Sequence, residues 1–317
     1  MAQKRNSRAG RRRGGILGVL AFAALLALAY FAEPLGLSEL LDGILGGGAG
    51  PVSAIAELPE EGLAVSYIDV GQGDSTLIVC NGEAMLIDAG VPEEGQTVVD
   101  YLTASGVDSL VYAAVTHAHD DHCGGMDDVV DAFPIGTLFA PYTEFDSSGA
   151  FTYFEDAAAE RGLYITVPTI GSTFTLGGAT VSFVGPVGDW GDDLNDSSLI
   201  IRVDYGSHSF LFPGDASDGT IADCAYVGGY DLDCDVLKLG HHGSSTSTDE
   251  EILDLTTPEI AVASCGLDNS YGHPHDEVVD LLAVRGIKLL RTDLDGTVTV
   301  WTDGEELSLY EAGEQAA

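Results

Sequence analysis

Clusters of histidine and aspartate lie at the ends of three apolar, strand-like segments, and this pattern restricts the fold more than any other feature of the sequence. The segment SLVYAAVT leads into THAHDDHCGG, where three histidines and two aspartates fall within residues 117–122. The segments SFLFPGD and DVLKLGHH end in Asp215 and in the adjacent pair His241 and His242. Because side chains at the ends of neighbouring strands can converge on one point, the pattern predicts a shared site at the edge of a sheet.

The donors in these clusters are of the types that bind divalent metal ions. The first cluster forms an H-x-H-x-D-H pattern, whose four donors are His117, His119, Asp121 and His122. Imidazole and carboxylate groups bind zinc, and also manganese or iron. Six residues cannot usually close two coordination shells, so we expect the two later strand ends to supply further ligands. The alternative is a solvated polar loop, but three strand ends with suitable donors favour a metal site.

Apolar runs typical of strands alternate with segments of helical periodicity over most of the chain. Twelve strand-like runs lie between residues 63 and 304. The spacing of apolar residues predicts helices at about 96–105, 124–132, 151–161, 217–228, 249–255 and 274–285. Hairpin-like strands are followed by strand–helix alternation, and this order occurs twice. We therefore predict an α/β (α+β) protein in which two mixed sheets pack face to face with helices outside.

The first 62 residues differ in composition from the rest of the chain. Six basic residues precede an unbroken apolar run, which predicts a signal peptide or an uncleaved membrane anchor over residues 1–32. Glycine-rich and then acidic sequence over residues 33–62 predicts a flexible linker. We expect one folded domain at 63–310, followed by an acidic tail at 311–317. The protein is then exported, and it lies either outside the cell or anchored to the outer face of the cytoplasmic membrane.

Net charge limits the partners of the folded domain. The chain has 12 Lys and Arg against 51 Asp and Glu, and six of the basic residues lie within the first 13 positions. Such an acidic surface repels polyanions at long range, so long nucleic acid is an uncertain partner. Metal ions can reverse the field inside a cleft, so a phosphodiester or another small ester-like substrate is compatible with this charge.

None of the five cysteines has the C-x-x-C spacing that is typical of a structural zinc site. In an oxidising compartment Cys224 and Cys234 could close a short loop as a disulfide. The sequence alone leaves this bond open, and with an odd number of cysteines at least one thiol must stay unpaired within the chain.

Seven separated motifs resemble those of one known family, in the same order. They are YIDVGQGDSTLI, LIDAG, VTHAHDDHCGG, NDSSLIIRVDYGSHSFLFPGD, DVLKLGHHGSSTSTDEEIL, SYGHPHDEVVDLL and RTDLDGTVTV. The H-x-H-x-D-H pattern with a later strand-end Asp and His resembles the metallo-β-lactamase superfamily of binuclear hydrolases. The full set resembles the soluble hydrolase domain of DNA-uptake channel proteins of the competence ComEC/Rec2 type, from about Leu63 to Trp301. This resemblance implies a metallo-β-lactamase-like, four-layer αββα sandwich.

Two departures from the competence pattern affect the expected function. The membrane portion of the channel proteins is missing, so we expect a stand-alone version that is tethered or secreted. Competence-type domains often carry an acid at the position of His119, whereas this chain carries the histidine of the wider superfamily. That difference favours ordinary zinc binding and weakens an inference of nuclease activity.

The resemblance implies two divalent metal ions, zinc with manganese as the alternative, and a hydroxide that bridges them. The predicted metal ligands are His117, His119, Asp121, His122, Asp215 and His242. His117 and His119 are predicted to bind one ion. Asp121, His122 and His242 are predicted to bind the other, and Asp215 is shared by both. The third ligand of the first ion is not evident, because His208 falls in a hairpin turn ~20 Å from Asp215.

The predicted catalytic residues are Asp121, His241 and His273. We expect His241 to contact either the ligands or the substrate, because the resemblance favours His242 as the ligand of the adjacent pair. His273 is expected at the mouth of the cleft, where it can protonate a leaving group. The alternative for His273 and His275 is two surface histidines at the start of a helix.

The remaining candidates are predicted to contact the substrate: Gln72, Asp74, Asn195, Asp196, His275 and Arg291. The first two lie in DVGQGDS, which is either a phosphate-binding loop or a tight hairpin that supports the metal loop. The pair at 195–196 is expected beside Asp215, where it either positions the substrate or completes the first metal site. The arginine either meets a substrate phosphate or pairs with a surface acid.

These residues predict a metal-dependent hydrolase, and the resemblance to competence-type domains implies that it acts on a phosphodiester, either a nucleic acid or a phosphorylated component of the cell envelope. The enzymatic alternative is hydrolysis of a lactam, lactone or thioester, since this scaffold serves many chemistries. A non-catalytic extracellular module that is stabilised by metal is the third hypothesis.

Overall fold

The computed structural model describes residues 58–59, 61–145, 148–188, 190 and 193–310. The predicted N-terminal segment, almost all of the predicted linker and the predicted acidic tail lie outside these residues. The first strand begins at Leu63. The domain boundaries stay a prediction. Among the described residues there is no helix of the length and apolar character needed to cross a membrane.

Fifteen strands in the described residues form two mixed sheets. The strands are β1 (Leu63–Tyr67), β2 (Thr76–Cys80), β3 (Glu83–Ile87), β4 (Leu110–Ala114), β5 (Ile135–Phe139), β6 (Ile165–Thr166), β7 (Thr173–Leu176), β8 (Ala179–Gly185), β9 (Ile200–Tyr205), β10 (His208–Phe212), β11 (Val236–Lys238), β12 (Ile260–Ala263), β13 (Lys288–Arg291), β14 (Val298–Thr302) and β15 (Leu307–Leu309). One sheet has the order β15-β14-β1-β2-β3-β4-β5-β6, and the other has β13-β12-β11-β10-β9-β8-β7. Strands β3 to β6 and β10 to β13 pair in parallel, whereas the remaining pairs are antiparallel.

Helices connect the parallel strands, as crossover connections require. The helices are α1 (Gly95–Ala104), α2 (Asp120–Cys123), α3 (Met126–Ala132), α4 (Gly149–Glu160), α5 (Asp218–Tyr226), α6 (Glu250–Thr256), α7 (Asp276–Arg285) and α8 (Thr292–Asp295). Short 3₁₀ turns lie at Pro92–Glu94, Asn195–Ser197 and Gly240–Gly243. The last two of these turns carry residues of the predicted site.

Alternate side chains along the strands face two different cores. In β10, Phe210 and Phe212 pack into a core that contains residues of both sheets, including Tyr67 of β1. Leu211 between them packs into a second core together with Ile221 of α5. A third core joins the other sheet to α1, α3 and α4. This two-residue alternation produces a helix–sheet–sheet–helix sandwich, so the predicted four-layer fold is confirmed.

The structure contains all twelve predicted strands and all six predicted helices, and it adds three short strands, β6, β7 and β15. These three have two to four residues each and include exposed, polar positions, so they lack the apolar runs by which a strand is recognised. All five cysteines are buried free thiols, and the Cys224–Cys234 disulfide is not formed.

The predicted donors lie in the loops that follow β4, β10, β11 and β12. In open sheets with parallel strands, ligands bind beyond the carboxyl ends of the strands, because loops from neighbouring strands meet there. The rings of His122, after β4, and His242, after β11, lie 5.2 Å apart between centroids. The two sheets therefore contribute to one site.

Candidate metal centre

The H-x-H-x-D-H segment runs from the end of β4 into the four-residue helix α2. His117 is fully buried, His119 is the N-cap residue with extended backbone, and His122 lies inside the helix. Gly125 permits this tight turn, because a Cβ atom there would lie 2.5 Å from the carbonyl oxygen of Ala89. The short helix therefore packs directly against the loop that follows β3.

Asp215 occupies the middle of the centre. Its Oδ1 lies 3.2 Å from Nε2 of His122. Its Oδ2 lies 3.6 Å from Nε2 of His242 and 3.9 Å from Nε2 of His117. His119 joins the group through a 2.9 Å contact between its Nδ1 and Nε2 of His117. Two sets of donors, one with His117 and His119 and one with His122 and His242, are each compact enough for a metal ion and share Asp215.

Asp121 contacts the second set through His242. Its Oδ2 lies 3.2 Å from Nε2 of His242. Burial raises the pKa of Asp121, but the close contact with His242 and the charge of His122 outweigh burial and hold the pKa at about 2. Burial likewise opposes ionisation of Asp215, and His122 and His242 again outweigh it, so its pKa lies well below the ordinary value. Both carboxylates are therefore anionic at neutral pH.

Several buried polar atoms at this centre have no hydrogen-bond partner among the described residues. They are Nε2 of His122, Nε2 of His242 and Oδ1 of Asp215. Buried polar atoms are rarely left unsatisfied, because the loss of hydration is not compensated. Imidazole nitrogen and carboxylate oxygen atoms that point at one another without hydrogen bonds suit divalent cations. The residues present therefore fit the metal ions that the sequence predicts.

A buried carboxylate that sequence reasoning missed holds His122 in place. Asp88 accepts hydrogen bonds from Nδ1 of His122 at 2.9 Å and from both N and Oγ1 of Thr116 at 2.7 Å. Nδ1 is thereby occupied, and Nε2 faces Asp215. A carboxylate behind a histidine ligand fixes its tautomer and ring orientation. We call Asp88 with His122 the Asp88 pair.

The same arrangement occurs at His242, but a different carboxylate supplies it. Nδ1 of His242 donates to Oδ1 of Asp74 at 3.0 Å and also lies 3.0 Å from the carbonyl oxygen of Ser264. Oδ2 of Asp74 forms a 2.9 Å ion pair with Nζ of Lys238, and both side chains are buried. We call Asp74 with His242 the Asp74 pair.

This placement corrects the predicted substrate contact of Asp74. By proximity alone, Asp74 groups with the donors His122, Asp215 and His242. Both of its oxygens are already engaged, however, by the imidazole and by the ammonium group. Asp74 is therefore a positioning residue behind His242 and not a residue that reaches the substrate.

The DVGQGDS loop is a tight connection that supports the metal loop. The backbone N of Asp74 donates to the carbonyl oxygen of Asp121 at 3.0 Å. Gly73 makes this approach possible, because a Cβ atom there would lie 2.5 Å from the same oxygen. Gln72 lines the cavity of the site, and its Oε1 accepts a hydrogen bond from the backbone N of Gly266. Only Gln72 of the two candidates in this loop can meet a substrate.

His241 and His242 both have left-handed backbone conformations, with φ values of 49° and 58°. Two such adjacent non-glycine residues are strained, and strain of this kind is typical of functional sites. His242 is buried with its ring aimed at Asp121 and Asp215. His241 is partly exposed and lines the cavity, with Nε2 3.6 Å from Oδ2 of Asp215. The geometry therefore favours His242 as the ligand and His241 as a contact for the substrate.

His273 lies beside both His241 and His242, with its ring centroid 5.3 Å and 5.9 Å from theirs, and it lines the same cavity. Burial and the neighbouring histidines His242 and His241 lower the pKa of His273 to about 4. Its imidazole is therefore neutral at neutral pH. His275 is the N-cap residue of α7 and does not line the cavity, and its Nδ1 accepts a hydrogen bond from the backbone N of Ser245. The sequence placed His275 in the first turn of a helix and in contact with the substrate. In the structure it lies one position earlier, as the N-cap, and outside the cavity.

Three further candidates do not line the cavity. Asp196 accepts hydrogen bonds from N and Oγ of Ser217, the N-cap residue of α5. Arg291 is bound through Nε and Nη2 to the carboxylate of Asp293, so the predicted phosphate contact is replaced by pairing with an acid. Asn195 lies in a 3₁₀ turn, and its buried Oδ1 has no hydrogen-bond partner among the described residues. The cavity at this position is lined by Leu194 instead.

The side of His117 that faces away from His119 is held by a serine that sequence reasoning did not assign. Oγ of Ser198 lies 3.3 Å from Nδ1 of His117 and accepts a hydrogen bond from the backbone N of Asp215. Burial and the nearby His122 lower the pKa of His117 well below its ordinary value, so this imidazole is neutral. His208, at the start of β10, is a neighbour of Asp235 and does not line the cavity.

The centre opens into a cavity of about 680 Å³. Such a volume is typical of small-molecule sites. Its lining includes His119, Asp121, Asp215, His241, His242 and His273 together with apolar side chains such as Val91, Phe145 and Leu194. The predicted ligands His119, Asp121, Asp215 and His242 are therefore accessible to a small ligand from this cavity.

A four-layer αββα sandwich with a histidine and aspartate cluster at its strand ends defines a metallohydrolase-type fold. The chain belongs to the metallo-beta-lactamase superfamily, whose family model matches residues 68–267. The predicted family is thereby confirmed.

Two competence proteins are among the similar proteins. The chain is 36% identical over 244 residues to competence protein ComA of Neisseria gonorrhoeae, covering 76% of this chain and 32% of that protein. It is 31% identical over 252 residues to ComE operon protein 3 of Bacillus subtilis (strain 168), covering 74% and 32%. The chain thus spans about a third of the length of these relatives.

Among solved structures, the diiron β-hydroxylase CmlA of Streptomyces venezuelae is similar, with a TM-score of 0.52 at 16% identity. The similarity covers 76% of this chain and 54% of that one. At this level of identity the similarity concerns the fold alone.

Proposed function

We propose that the chain is a metal-dependent phosphodiesterase with a binuclear centre. The observation that carries this proposal is the pair of donor sets that share Asp215. A carboxylate between two metal ions is the arrangement that two-metal hydrolases use to hold both ions near one reacting group. The similarity to competence protein ComA and to ComE operon protein 3 favours a phosphodiester over a lactam, lactone or thioester.

His117, His119 and Asp215 would hold one ion, and Asp121, His122, His242 and Asp215 would hold the other. Zinc suits this set of donors, and manganese is the alternative. When bound, the ions supply Lewis acidity and lower the pKa of a bound water.

The remaining residues of the cavity act on the substrate directly. His241 projects beside Asp215 and can orient the phosphate. His273 is a neutral imidazole next to His241, so its N–H can donate a hydrogen bond to the leaving oxygen, as neutral histidines do in other enzymes. Gln72 and the apolar lining exclude water from one side of the cleft.

We further propose that the protein is exported and acts on the outer side of the cytoplasmic membrane. The basic residues and apolar run over residues 1–32 support this proposal, and an uncleaved segment would keep the protein at the membrane. Fractionation of cells that express the full chain, followed by mass determination of the N-terminus, tests both points. Recovery of the intact chain from the cytosol would contradict them.

The enzymatic proposal is tested by metal content and by three substrates. Purified protein is assayed with bis(p-nitrophenyl) phosphate, nitrocefin and a thioester, beside His119→Ala and Asp215→Ala. We expect cleavage of the phosphodiester alone, and loss of both metal and activity in the two variants. His208→Ala is the matched control, because this histidine lies away from the cavity. Full activity in both site variants would exclude the binuclear mechanism.

A further inference from the structure

The loop between β12 and α7 forms one rim of the cavity and presents a tyrosine to solvent. Tyr271 is 65% exposed although it lies beside the buried metal centre. Its ring is stacked on the ring of His273, with centroids 5.7 Å apart and planes 18° apart. Both residues line the cavity. One face of the tyrosine is thus supported by a buried neighbour, and the remainder of the ring is available to a ligand.

This rim is braced by hydrogen bonds within the loop. Oδ1 of Asn269 accepts from the backbone N of Tyr271 at 3.2 Å and of His273 at 3.0 Å. Nδ2 of the same asparagine donates to the carbonyl oxygens of Gly266 and His273. Gly266 in turn packs against the backbone of Gln72, where a Cβ atom would approach to 2.8 Å. The tyrosine is therefore held in place before any ligand binds, which lowers the entropic cost of binding.

The cavity offers no cation for a phosphate beyond the metal centre. None of its described lining residues is Lys or Arg, whereas Asp120, Asp121 and Asp215 line it. Lys238 is buried against Asp74, and Arg291 is bound to Asp293. A long polyanion would thus meet an acidic surface without compensating contacts. Among the lining side chains, Val91, Phe145, Leu194 and Tyr271 offer apolar and aromatic contacts to the part of the substrate next to the scissile phosphate.

We propose that Tyr271, supported by His273, is a stacking platform for a nucleobase next to the scissile phosphodiester. The substrate is then a short, single-stranded nucleotide diester, and not long DNA or a polyol phosphate of the cell envelope. Stacking of a base on an aromatic side chain tolerates any base, because every base has a π face. This proposal rests on the proposed phosphodiesterase function and selects among its substrates.

The test compares two dinucleotides that differ only in their bases. Hydrolysis of thymidylyl-thymidine and of its abasic analogue is followed by chromatography with metal-loaded protein. We expect Tyr271→Leu to raise KM for thymidylyl-thymidine about tenfold and KM for the abasic analogue far less, as the usual strength of base–aromatic stacking implies. Tyr271→Phe should restore the low KM. Tyr164→Leu is the control, because Tyr164 is exposed and does not line the cavity.

A binding measurement separates the platform from the reaction. A phosphorothioate analogue of thymidylyl-thymidine, which resists hydrolysis, is titrated into the metal-loaded protein by calorimetry, with and without Tyr271→Leu. If no phosphodiester is hydrolysed but Tyr271→Leu weakens binding about tenfold, the platform is supported and the proposed function fails. If both dinucleotides are hydrolysed and Tyr271→Leu affects them equally, the platform is wrong and the function stands. A higher kcat/KM per bond for a long single strand than for the dinucleotide would also overturn the proposal.

Discussion

The Asp88 pair and the Asp74 pair present two histidines to the same carboxylate, but they are stabilised in different ways. In each pair Nδ1 of the histidine donates to a buried carboxylate and Nε2 faces Asp215. Asp88 also accepts hydrogen bonds from the hydroxyl and the backbone N–H of Thr116, which are neutral donors. Asp74 instead forms an ion pair with the ammonium group of Lys238, which is almost fully buried. One pair therefore depends on hydrogen bonds and the other on a buried cation.

The electrostatics of the two carboxylates follow this difference. Burial raises the pKa of Asp88, and its hydrogen bonds with His122 and Thr116 offset burial only in part. Burial would also raise the pKa of Asp74, but Lys238 and His242 outweigh it and the pKa is lowered. A buried ion pair is costly to break, since the remaining charge is left without water or partner. The Asp74 pair should therefore be the more sensitive of the two to loss of its supporting residue.

The largest effect is expected from Asp215→Asn, which removes the charge that both pairs face. Both donor sets lose their shared ligand, so we expect metal content to fall at both sites and kcat to fall roughly 10³-fold or more. Elemental analysis and steady-state kinetics measure these effects. Asp196→Asn is the control, because its carboxylate binds Ser217 outside the cavity, and it should keep its metal. Retention of both ions in Asp215→Asn would show that the two sets are independent.

Lys238→Met should have the next largest effect, and it tests the cation behind the Asp74 pair. The substitution leaves Asp74 as an unpaired buried carboxylate, so the free energy of unfolding should fall by about 3–5 kcal/mol. Urea unfolding of the metal-free protein measures it. Adding Asp74→Asn removes the orphaned charge and should recover part of the loss. Lys288→Met, at an exposed lysine of β13, should change stability by less than about 0.5 kcal/mol. Equal stability of Lys238→Met and Lys288→Met would contradict the role of the ion pair.

Asp88→Asn should cost less stability than Lys238→Met but still weaken metal binding. The amide oxygen can accept from the backbone N of Thr116, so no charge is left buried, and we expect a loss of about 1–3 kcal/mol. Metal affinity should fall about 10- to 100-fold, because His122 loses the carboxylate that orients it. Competition with a chelator measures the affinity, with the exposed Asp108→Asn as control. A larger loss of stability than in Lys238→Met would reverse the comparison of the two pairs.

The convergence of the two pairs could be predicted in part from sequence. The strand-end positions of His122, Asp215 and His242 indicated a shared site, because parallel strands present their carboxyl ends at one edge. The pairing of each histidine with its carboxylate could not be predicted, since Asp74 and His242 are 168 residues apart. Such contacts depend on the conformation of the loops, which a local sequence pattern does not determine.

Two signals in the sequence could nevertheless have located the supporting residues. Asp88 ends the apolar segment EAMLIDAG in the same way that Asp215 ends SFLFPGD. Lys238 stands inside the apolar segment DVLKLG, and lysine is almost never fully buried unless it is paired. Arg291 follows a similar apolar run, yet it pairs with Asp293 two residues later. An isolated cation thus indicates a partner, but the sequence does not distinguish a site carboxylate from a neighbouring one.

The smallest effect is expected from Thr116→Val, which tests the neutral donors behind the Asp88 pair. Valine has the shape of threonine but lacks Oγ1, so the 2.7 Å hydrogen bond to Asp88 is lost, together with the longer contacts of Oγ1 with Nδ1 of His117 and His122, while the bond from the backbone N to Asp88 remains. We expect a loss of about 1 kcal/mol in urea unfolding of the metal-free protein. Thr248→Val is a matched control, because Thr248 is buried and its Oγ1 has no hydrogen-bond partner among the described residues. That substitution should be neutral or slightly stabilising, since it removes an unsatisfied polar atom. If Thr116→Val were as costly as Lys238→Met, the support of the Asp88 pair would not be neutral, and the distinction between the two pairs would fail.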